Sequence, residues 1–114
     1  MFDVSKIFTG EIEMQQNYTI RAKTRKGVSK PHFWVEGKRL EAYGFTKGVR
    51  YQTVTSHGSF MLVKSTEGKT KGVSGTIDRP IIDIVGRDLT KSLLRIGDDV
   101  LITYSQNSIT VEAL

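Results

Sequence analysis

The stretches PHFWVEGKRLEAYGFTKGVRYQTVTSHGSFML, residues 31–62, and PIIDIVGRDLTKSLLRIGDDVLITYSQNSITV, residues 80–111, decide the fold because the second repeats the pattern of the first. Glycines and apolar residues set backbone geometry and the direction of the core, so their repetition indicates a repeated structural unit. We therefore expect an internal two-fold pseudo-symmetry. The copies align without a gap at an offset of 49 residues, and four residues recur identically along the helical half: Pro31 and Pro80, Gly37 and Gly86, Leu40 and Leu89, Gly48 and Gly97.

Each copy predicts the element order β-α-β-β. In the first copy an apolar strand at 33–35 precedes a helix at 38–43, and strands at 49–55 and 60–63 flank a turn at 56–58. Glycine or asparagine in each turn allows the positive φ that tight hairpins need. The second copy predicts the corresponding elements at 81–85, 87–94, 100–104, 105–107 and 109–111.

One such unit is too small to bury a stable core, so the two copies are expected to share one. The 114 residues are 38% apolar, which suits a single small globular domain over residues 1–114. We expect pseudo-equivalent residues to be buried together, namely Leu40 with Leu89, Val35 with Ile84, and Leu62 with Val111. The predicted divisions are an N-terminal β segment and basic strand at 1–30, a first repeat at 31–63, a connector at 64–79 and a second repeat at 80–114.

The composition of the chain bears on the compartment in which the protein is expected to act. The chain has no apolar run of membrane-span length and no basic region followed by an apolar stretch at its start, so no membrane partner and no secretory signal are expected. The absence of cysteine excludes disulfides, cysteine metal sites and thiol nucleophiles. These features together favour a cytoplasmic protein.

Two motifs carry a family resemblance. The sequence LLRIGDDVLITYSQNSITV at 93–111 resembles the AbrB/MazE class of swapped-hairpin domains, in which a short helix is followed by "-GD-V-" and a hairpin. The sequence at 19–54 resembles the SymE toxin-like branch, where a basic strand and a proline precede a "-GKWLEEAGF-" helix and a "G-x-V" strand. Residues 36–45, EGKRLEAYGF, carry this match, although Arg39 replaces the preferred tryptophan and Tyr43 also departs from the pattern.

The resemblance covers 18–63 and 80–111, and residues 1–17 match no motif. It implies two interleaved β-α-β-β units, which a tandem chain would build from its own halves as one pseudo-two-fold AbrB-like swapped-hairpin barrel. The segment at 7–12 is free to pair with an edge, so a homodimer stays open beside the monomeric pseudo-dimer. The implied function is DNA binding in transcription regulation or a toxin–antitoxin system, with DNA favoured over RNA by this analogy alone.

Charge is concentrated in the first half of the chain. Residues 1–57 hold 10 Lys and Arg against 5 Asp and Glu, whereas residues 58–114 hold 7 of each. On a strand, Arg21, Lys23 and Arg25 would share one face, opposite Ala22. Such a stripe suits phosphates, and the structural alternative is an edge strand protected by charge against aggregation. The candidate nucleic-acid contacts are Arg21, Lys23, Arg25, Lys26, Lys30, Lys38, Arg39 and Arg87.

Several of these residues have structural alternatives. Lys38, Arg39 and Arg87 stand at helix starts, which face nucleic acid in AbrB-like dimers, yet the helix dipole disfavours cations there. Trp34 could stack on a base or rim an interface, but packing against the amino-terminal segment is favoured. The connector lysines Lys64, Lys69 and Lys71 are expected to lie off the binding face.

The sequence offers no catalytic, metal or cofactor site. His32 and His57 lack metal-ligand spacing and a neighbouring nucleophile motif, and Asp98-Asp99 reads as turn chemistry. The function is therefore expected to be binding without catalysis. The alternative is an inhibitor or adaptor that binds a protein through the acidic second half of the chain, with the candidate residues Asp78, Asp83, Asp88, Asp98 and Asp99.

Overall fold

The computed structural model describes residues 14–114, so the predicted edge pairing of residues 7–12 lies outside the described residues. Residues 14–114 are mainly β, with two short helices, as expected. None of the described helices is long and apolar enough to cross a membrane. In chain order the elements are β1 (Met14–Thr19), β2 (Arg21–Arg25), β3 (Val28–Glu36), α1 (Lys38–Ala42), β4 (Arg50–Ser56), β5 (Ser59–Lys64), β6 (Lys71–Gly72), β7 (Ser74–Gly75), β8 (Pro80–Val85), α2 (Arg87–Lys91), β9 (Asp99–Ser105) and β10 (Ser108–Ala113).

The strands form two antiparallel sheets whose orders reveal the internal symmetry. The six-stranded sheet runs β1-β9-β10-β5-β4-β6, and the four-stranded sheet runs β2-β3-β8-β7. If each strand from β1 to β5 is exchanged with its counterpart from β6 to β10, each sheet keeps the same strand order, read from the opposite edge. The central pairs, β5 with β10 and β3 with β8, each join one repeat to the other. The two halves are therefore interleaved, although within residues 14–114 neither sheet closes on itself.

The repeated unit starts earlier than the sequence pattern indicated. Ile20 and Val73 are both buried, and each carries the chain from the six-stranded sheet to the four-stranded one. The Ile20 amide donates to the Asp98 carbonyl at 2.9 Å, and the Val73 amide donates to the Val49 carbonyl at 2.9 Å. Val49 and Asp98 are 49 residues apart, so Ile20 and Val73 are pseudo-equivalent. Each repeat thus has the order β-β-β-α-β-β.

This order corrects the prediction that residues 64–79 form only a connector, because β6 and β7 lie within that range. Each of these strands has two residues, which is too short to show an alternating pattern in the sequence. The predicted N-terminal segment is likewise divided into β1 and β2, which lie in different sheets.

The predicted core is confirmed. Leu40 and Leu89 are fully buried, and the other predicted pairs, Val35 with Ile84 and Leu62 with Val111, are at most 5% exposed. All six belong to one apolar cluster, to which both repeats contribute residues. The predicted turns are also confirmed, with positive φ at Gly58 and Asn107.

The second helix is shorter than predicted. It was expected over 87–94 but ends at Lys91, because Leu93 adopts a φ of 61° and turns the chain out of the helix. Gly44 has the same role after α1, with a φ of 91°. Both helices thus end in the same left-handed cap.

Candidate nucleic-acid interface

The basic strand belongs to a two-stranded ribbon formed by β2 and β3. Lys26 and Gly27 occupy its tip with φ values of 52° and 78°, the left-handed pair that a two-residue hairpin turn requires. Residues 21–30 are all exposed, so this end of the ribbon does not pack on the core. Sequence analysis missed the hairpin, and glycine after Lys26 between two strand-like runs was the available signal.

The predicted basic stripe lies on one face of this ribbon. Lys23 pairs directly with Lys30 and Arg25 pairs with Val28, so Arg21, Lys23, Arg25 and Lys30 share a face. None of these four cations forms an ion pair with a carboxylate of residues 14–114. Like charges directly opposite each other on a sheet are destabilising, and a bound polyanion would relieve that repulsion.

The other face of the ribbon is uncharged. Thr24 and Ser29 stand opposite each other there and share a side-chain hydrogen bond of 2.7 Å. At the base of the charged face, the Arg21 guanidinium lies 5.6 Å from the centre of the Tyr18 ring. The Tyr18 hydroxyl in turn accepts the Trp34 amide at 3.0 Å, which fixes the ring. The ribbon therefore presents its cations in one direction from an anchored base.

Arg87 is brought to this ribbon by the interleaving of the repeats. Because β3 and β8 are antiparallel, the beginning of β3 lies beside the end of β8, and the Gly86 amide donates to the Pro31 carbonyl at 3.0 Å. Lys30 lies over Gly86 and lines one cleft together with Arg87 and Lys91. Lys91 was missed, although its position four residues after Arg87 places both on one helix face.

Two connector lysines, which were expected to lie off the binding face, also lie beside α2. Lys69 and Lys71 line a second cleft with Arg87 and Lys91. Lys71 pairs with Asp88 at 3.1 Å. The contact between the connector and α2 joins residues far apart in the sequence, which gives no local signal for it. We refer below to the residues of the ribbon and α2 as the cationic surface: Arg21, Lys23, Arg25, Lys26, Lys30, Arg87 and Lys91.

The structure places Lys38 and Arg39 elsewhere. They begin α1, which packs near β8 on the other side of the pseudo-two-fold. The Arg39 guanidinium donates to Gln16 Oε1, which also accepts the Tyr104 hydroxyl at 2.8 Å. Burial raises the pKa of Tyr104, and the nearby Arg39 opposes that rise. Arg39 therefore has a local structural partner, and neither residue lines the clefts of Arg87 and Lys91.

Trp34 and His32 lie on the outer face of the four-stranded sheet. Their ring centres are 5.9 Å apart, and His32 Nε2 lies 2.7 Å from Asp83 Oδ1. Trp34 is half-buried, and its amide donates to Tyr18 of the predicted amino-terminal segment, of which residues 1–13 lie outside the described residues. In residues 14–114, no group of three or more His, Asp or Glu side chains is arranged to hold a metal ion.

Most of the acidic residues of the second half have partners within the chain. Asp83 contacts His32 and Asp88 contacts Lys71, while Asp98 accepts the Arg95 amide at 2.8 Å. Asp99 accepts the Thr19 hydroxyl at 2.7 Å. Four of the five candidate acidic residues are therefore engaged within the chain, which weakens the reading of an acidic docking surface.

No protein-family model, curated protein or solved structure matches this chain. The resemblance to AbrB and SymE proteins thus rests on the motifs quoted above, and the geometry of the cationic surface bears independently on function.

Proposed function

We propose that this protein binds nucleic acid through the cationic surface and acts by binding, without catalysis. The observation that carries the proposal is the ribbon face on which Arg21, Lys23, Arg25 and Lys30 stand together without a carboxylate partner among residues 14–114. Arg87 and Lys91 add cations from the second repeat, in a cleft that Lys30 also lines. Long cations at successive positions suit the regular phosphates of a nucleic-acid backbone.

The proposed architecture is an AbrB-like swapped-hairpin fold formed by one chain, with a SymE-like first half. Its support is the interleaving of the β4–β5 and β9–β10 hairpins through the β5–β10 pair. A monomeric pseudo-dimer is the simplest assembly, since each repeat already supplies the other's partner strands. In the cell, this proposal corresponds to a cytoplasmic regulator, either a repressor or a toxin- or antitoxin-like module.

Duplex DNA is favoured over RNA. A two-stranded β ribbon fits the major groove of B-form DNA, whereas the major groove of A-form RNA is too narrow for side chains to enter. The β2–β3 ribbon is exposed on both faces around its tip, as insertion into a groove requires. Its uncharged Thr24–Ser29 face and its cationic face give it two chemically different sides.

Fluorescence anisotropy with a labelled DNA duplex and the RNA duplex of the same sequence, at several salt concentrations, tests the proposal. We expect tighter binding to DNA and a steep decline with salt, since each phosphate contact contributes about 0.9 to the slope of log affinity against log salt. Absence of binding at low salt would overturn the proposal. A pull-down from lysate that retains a protein partner after nuclease treatment, together with such absence, would favour the adaptor alternative.

A further inference from the structure

The cap that ends α2 carries a residue unsuited to its backbone. The Leu93 amide donates to the Thr90 carbonyl at 3.0 Å and the Leu94 amide donates to the Leu89 carbonyl at 3.0 Å, the two bonds of a Schellman cap. Leu93, the donor of the first of these bonds, has a φ of 61°. The equivalent residue after α1 is Gly44, which adopts this conformation without a steric clash. The second repeat therefore accepts strain that the first avoids.

Packing of the Leu93 side chain does not explain that strain. Leu93 is 56% exposed, whereas its neighbours Ser92 and Leu94 are at most 2% exposed. The Ser92 carbonyl accepts the Gly58 amide at 2.8 Å, so both flanks of Leu93 are anchored in the core. The result is a rigid backbone that holds a large apolar side chain outward. Strain of this kind persists where the surrounding structure imposes it, and it often accompanies function.

The surroundings of Leu93 indicate what it meets. Leu93, Pro31 and Ile96 line a cleft, and Ile96 is 45% exposed. This cleft shares Pro31 and Thr90 with the cleft of Lys30, Arg87 and Lys91, so the apolar pair directly borders the cationic surface. The positions equivalent to Leu93 and Ile96 in the first repeat are Gly44 and Lys47. The apolar pair thus occurs on the cationic side alone.

We propose that Leu93, supported by Ile96, is an apolar wedge that inserts between base pairs of the duplex held by the cationic surface. The inference rests on the proposed function and deepens it. A phosphate backbone bound along Lys30, Arg87 and Lys91 brings sugars and bases next to the Leu93 side chain. Proteins that contact the minor groove insert apolar wedges between base steps, which unstack the steps partially and kink the duplex towards the major groove. Leu93 would enter the minor groove next to the major groove that the ribbon occupies.

The test uses the full chain and a short DNA duplex with 2-aminopurine at an internal step and a donor and acceptor dye at its ends. At saturating protein, the native chain is expected to raise 2-aminopurine fluorescence and energy transfer between the ends. Leu93→Gly reproduces the cap of the first repeat, so we expect it to fold as stably as the native chain or better in chemical denaturation. The Leu93→Gly variant should lose both fluorescence signals. It should bind the duplex roughly tenfold more weakly, because an apolar contact is removed. The slope of log affinity against log salt should be unchanged.

Ile77→Gly is the matched control, since Ile77 is an 80% exposed apolar residue at the tip of the β7–β8 hairpin. It should leave both fluorescence signals intact. Steep, salt-dependent binding by the native chain without bending or unstacking would overturn the wedge while the proposed function stands. Absence of duplex binding would refute the proposed function and the wedge with it. Binding to anionic vesicles that Leu93→Gly abolishes, with duplex bending unaltered, would assign Leu93 to a membrane surface and also overturn the wedge.

Discussion

The β2–β3 and β7–β8 hairpins are pseudo-equivalent, yet only the first is extended. Pro31 lies 11 residues after the crossover residue Ile20, whereas Pro80 lies 7 residues after Val73. The four additional residues lengthen the ribbon and carry the tip Lys26-Gly27 away from the core. The short hairpin instead closes with reciprocal bonds between Thr76 and Arg79. A small insertion in a repeated scaffold has thus produced a surface that its counterpart lacks.

The two helices, like the two hairpins, differ between the repeats. Arg87 and Lys91 on α2 replace Lys38 and Ala42 on α1, and Leu93 replaces Gly44 after it. Interleaving places α2 beside the long ribbon, so the specialised parts of both repeats lie on one side of the molecule. Counting charges by halves of the sequence does not reveal this arrangement. Arg87 and Lys91 belong to the second half, yet they lie beside the cationic ribbon of the first half.

Separating the two halves of the chain should have the largest effect on the fold. Residues 66–114 alone lose the partners of β8 and β10, namely β3 and β5, so we expect no stable monomeric fold. Circular dichroism and size-exclusion chromatography would measure the outcome. A cooperative, monomeric unfolding transition of this fragment would contradict the interleaved architecture.

Core truncations test whether the two sides are energetically equivalent. Leu40 and Leu89 are both fully buried and occupy the same place in the two caps. Each Leu→Ala change should lower the free energy of unfolding by about 2–5 kcal/mol, because it leaves a cavity in the shared core. Chemical denaturation would reveal the losses. A loss below about 0.5 kcal/mol at either position would refute the shared core.

Alkaline pH exposes a chemical difference between the sides. Burial, followed by repulsion from Asp83 and Asp88, raises the pKa of Tyr51 to about 12, while Arg50 opposes the rise. The equivalent residue is Val100, which does not ionise. The folded chain holds the Tyr51 proton more tightly than the unfolded chain, whose pKa stays near 10. Stability should therefore fall between about pH 10 and 12, by roughly 3 kcal/mol for a two-unit shift.

Tyr51→Phe keeps the buried ring and removes the ionisable hydroxyl. Urea denaturation between pH 8 and 12 should show a shallower decline for this variant than for the native chain. Parallel declines of the two proteins would assign the alkaline loss to other groups.

The repeat, the core pairs and the basic face were predictable because each has a local signal. The glycine spacing revealed the units, and alternation along the basic strand placed Arg21, Lys23 and Arg25 together. The proximity of Arg87 to Lys30 was not predictable, since it follows from the register of β3 against β8. The strands β6 and β7 were missed for a different reason, namely that their pairing, and not their composition, defines them.

The stability of the fold should respond least to changes on the cationic surface. Replacing Arg21, Lys23 and Arg25 together by glutamine is expected to alter the free energy of unfolding by no more than about 0.5 kcal/mol, because all three side chains are exposed. Charge-matched replacements on the α1 side are Lys38, Lys47 and Lys64, and Lys64 Nζ lies beside Gly44. Lys69 and Lys71 are unsuitable as controls because they adjoin Arg87.

The salt dependence of duplex binding by these two triple variants tests the central claim most directly. Replacing the ribbon cations should weaken binding to unrelated DNA sequences and flatten the slope of log affinity against log salt by about 2 to 3, one phosphate contact per residue. The α1-side variant, which also tests the prediction for Lys38, should keep the native slope. Equal losses from the two variants would contradict the account, because they would show that net charge alone governs binding.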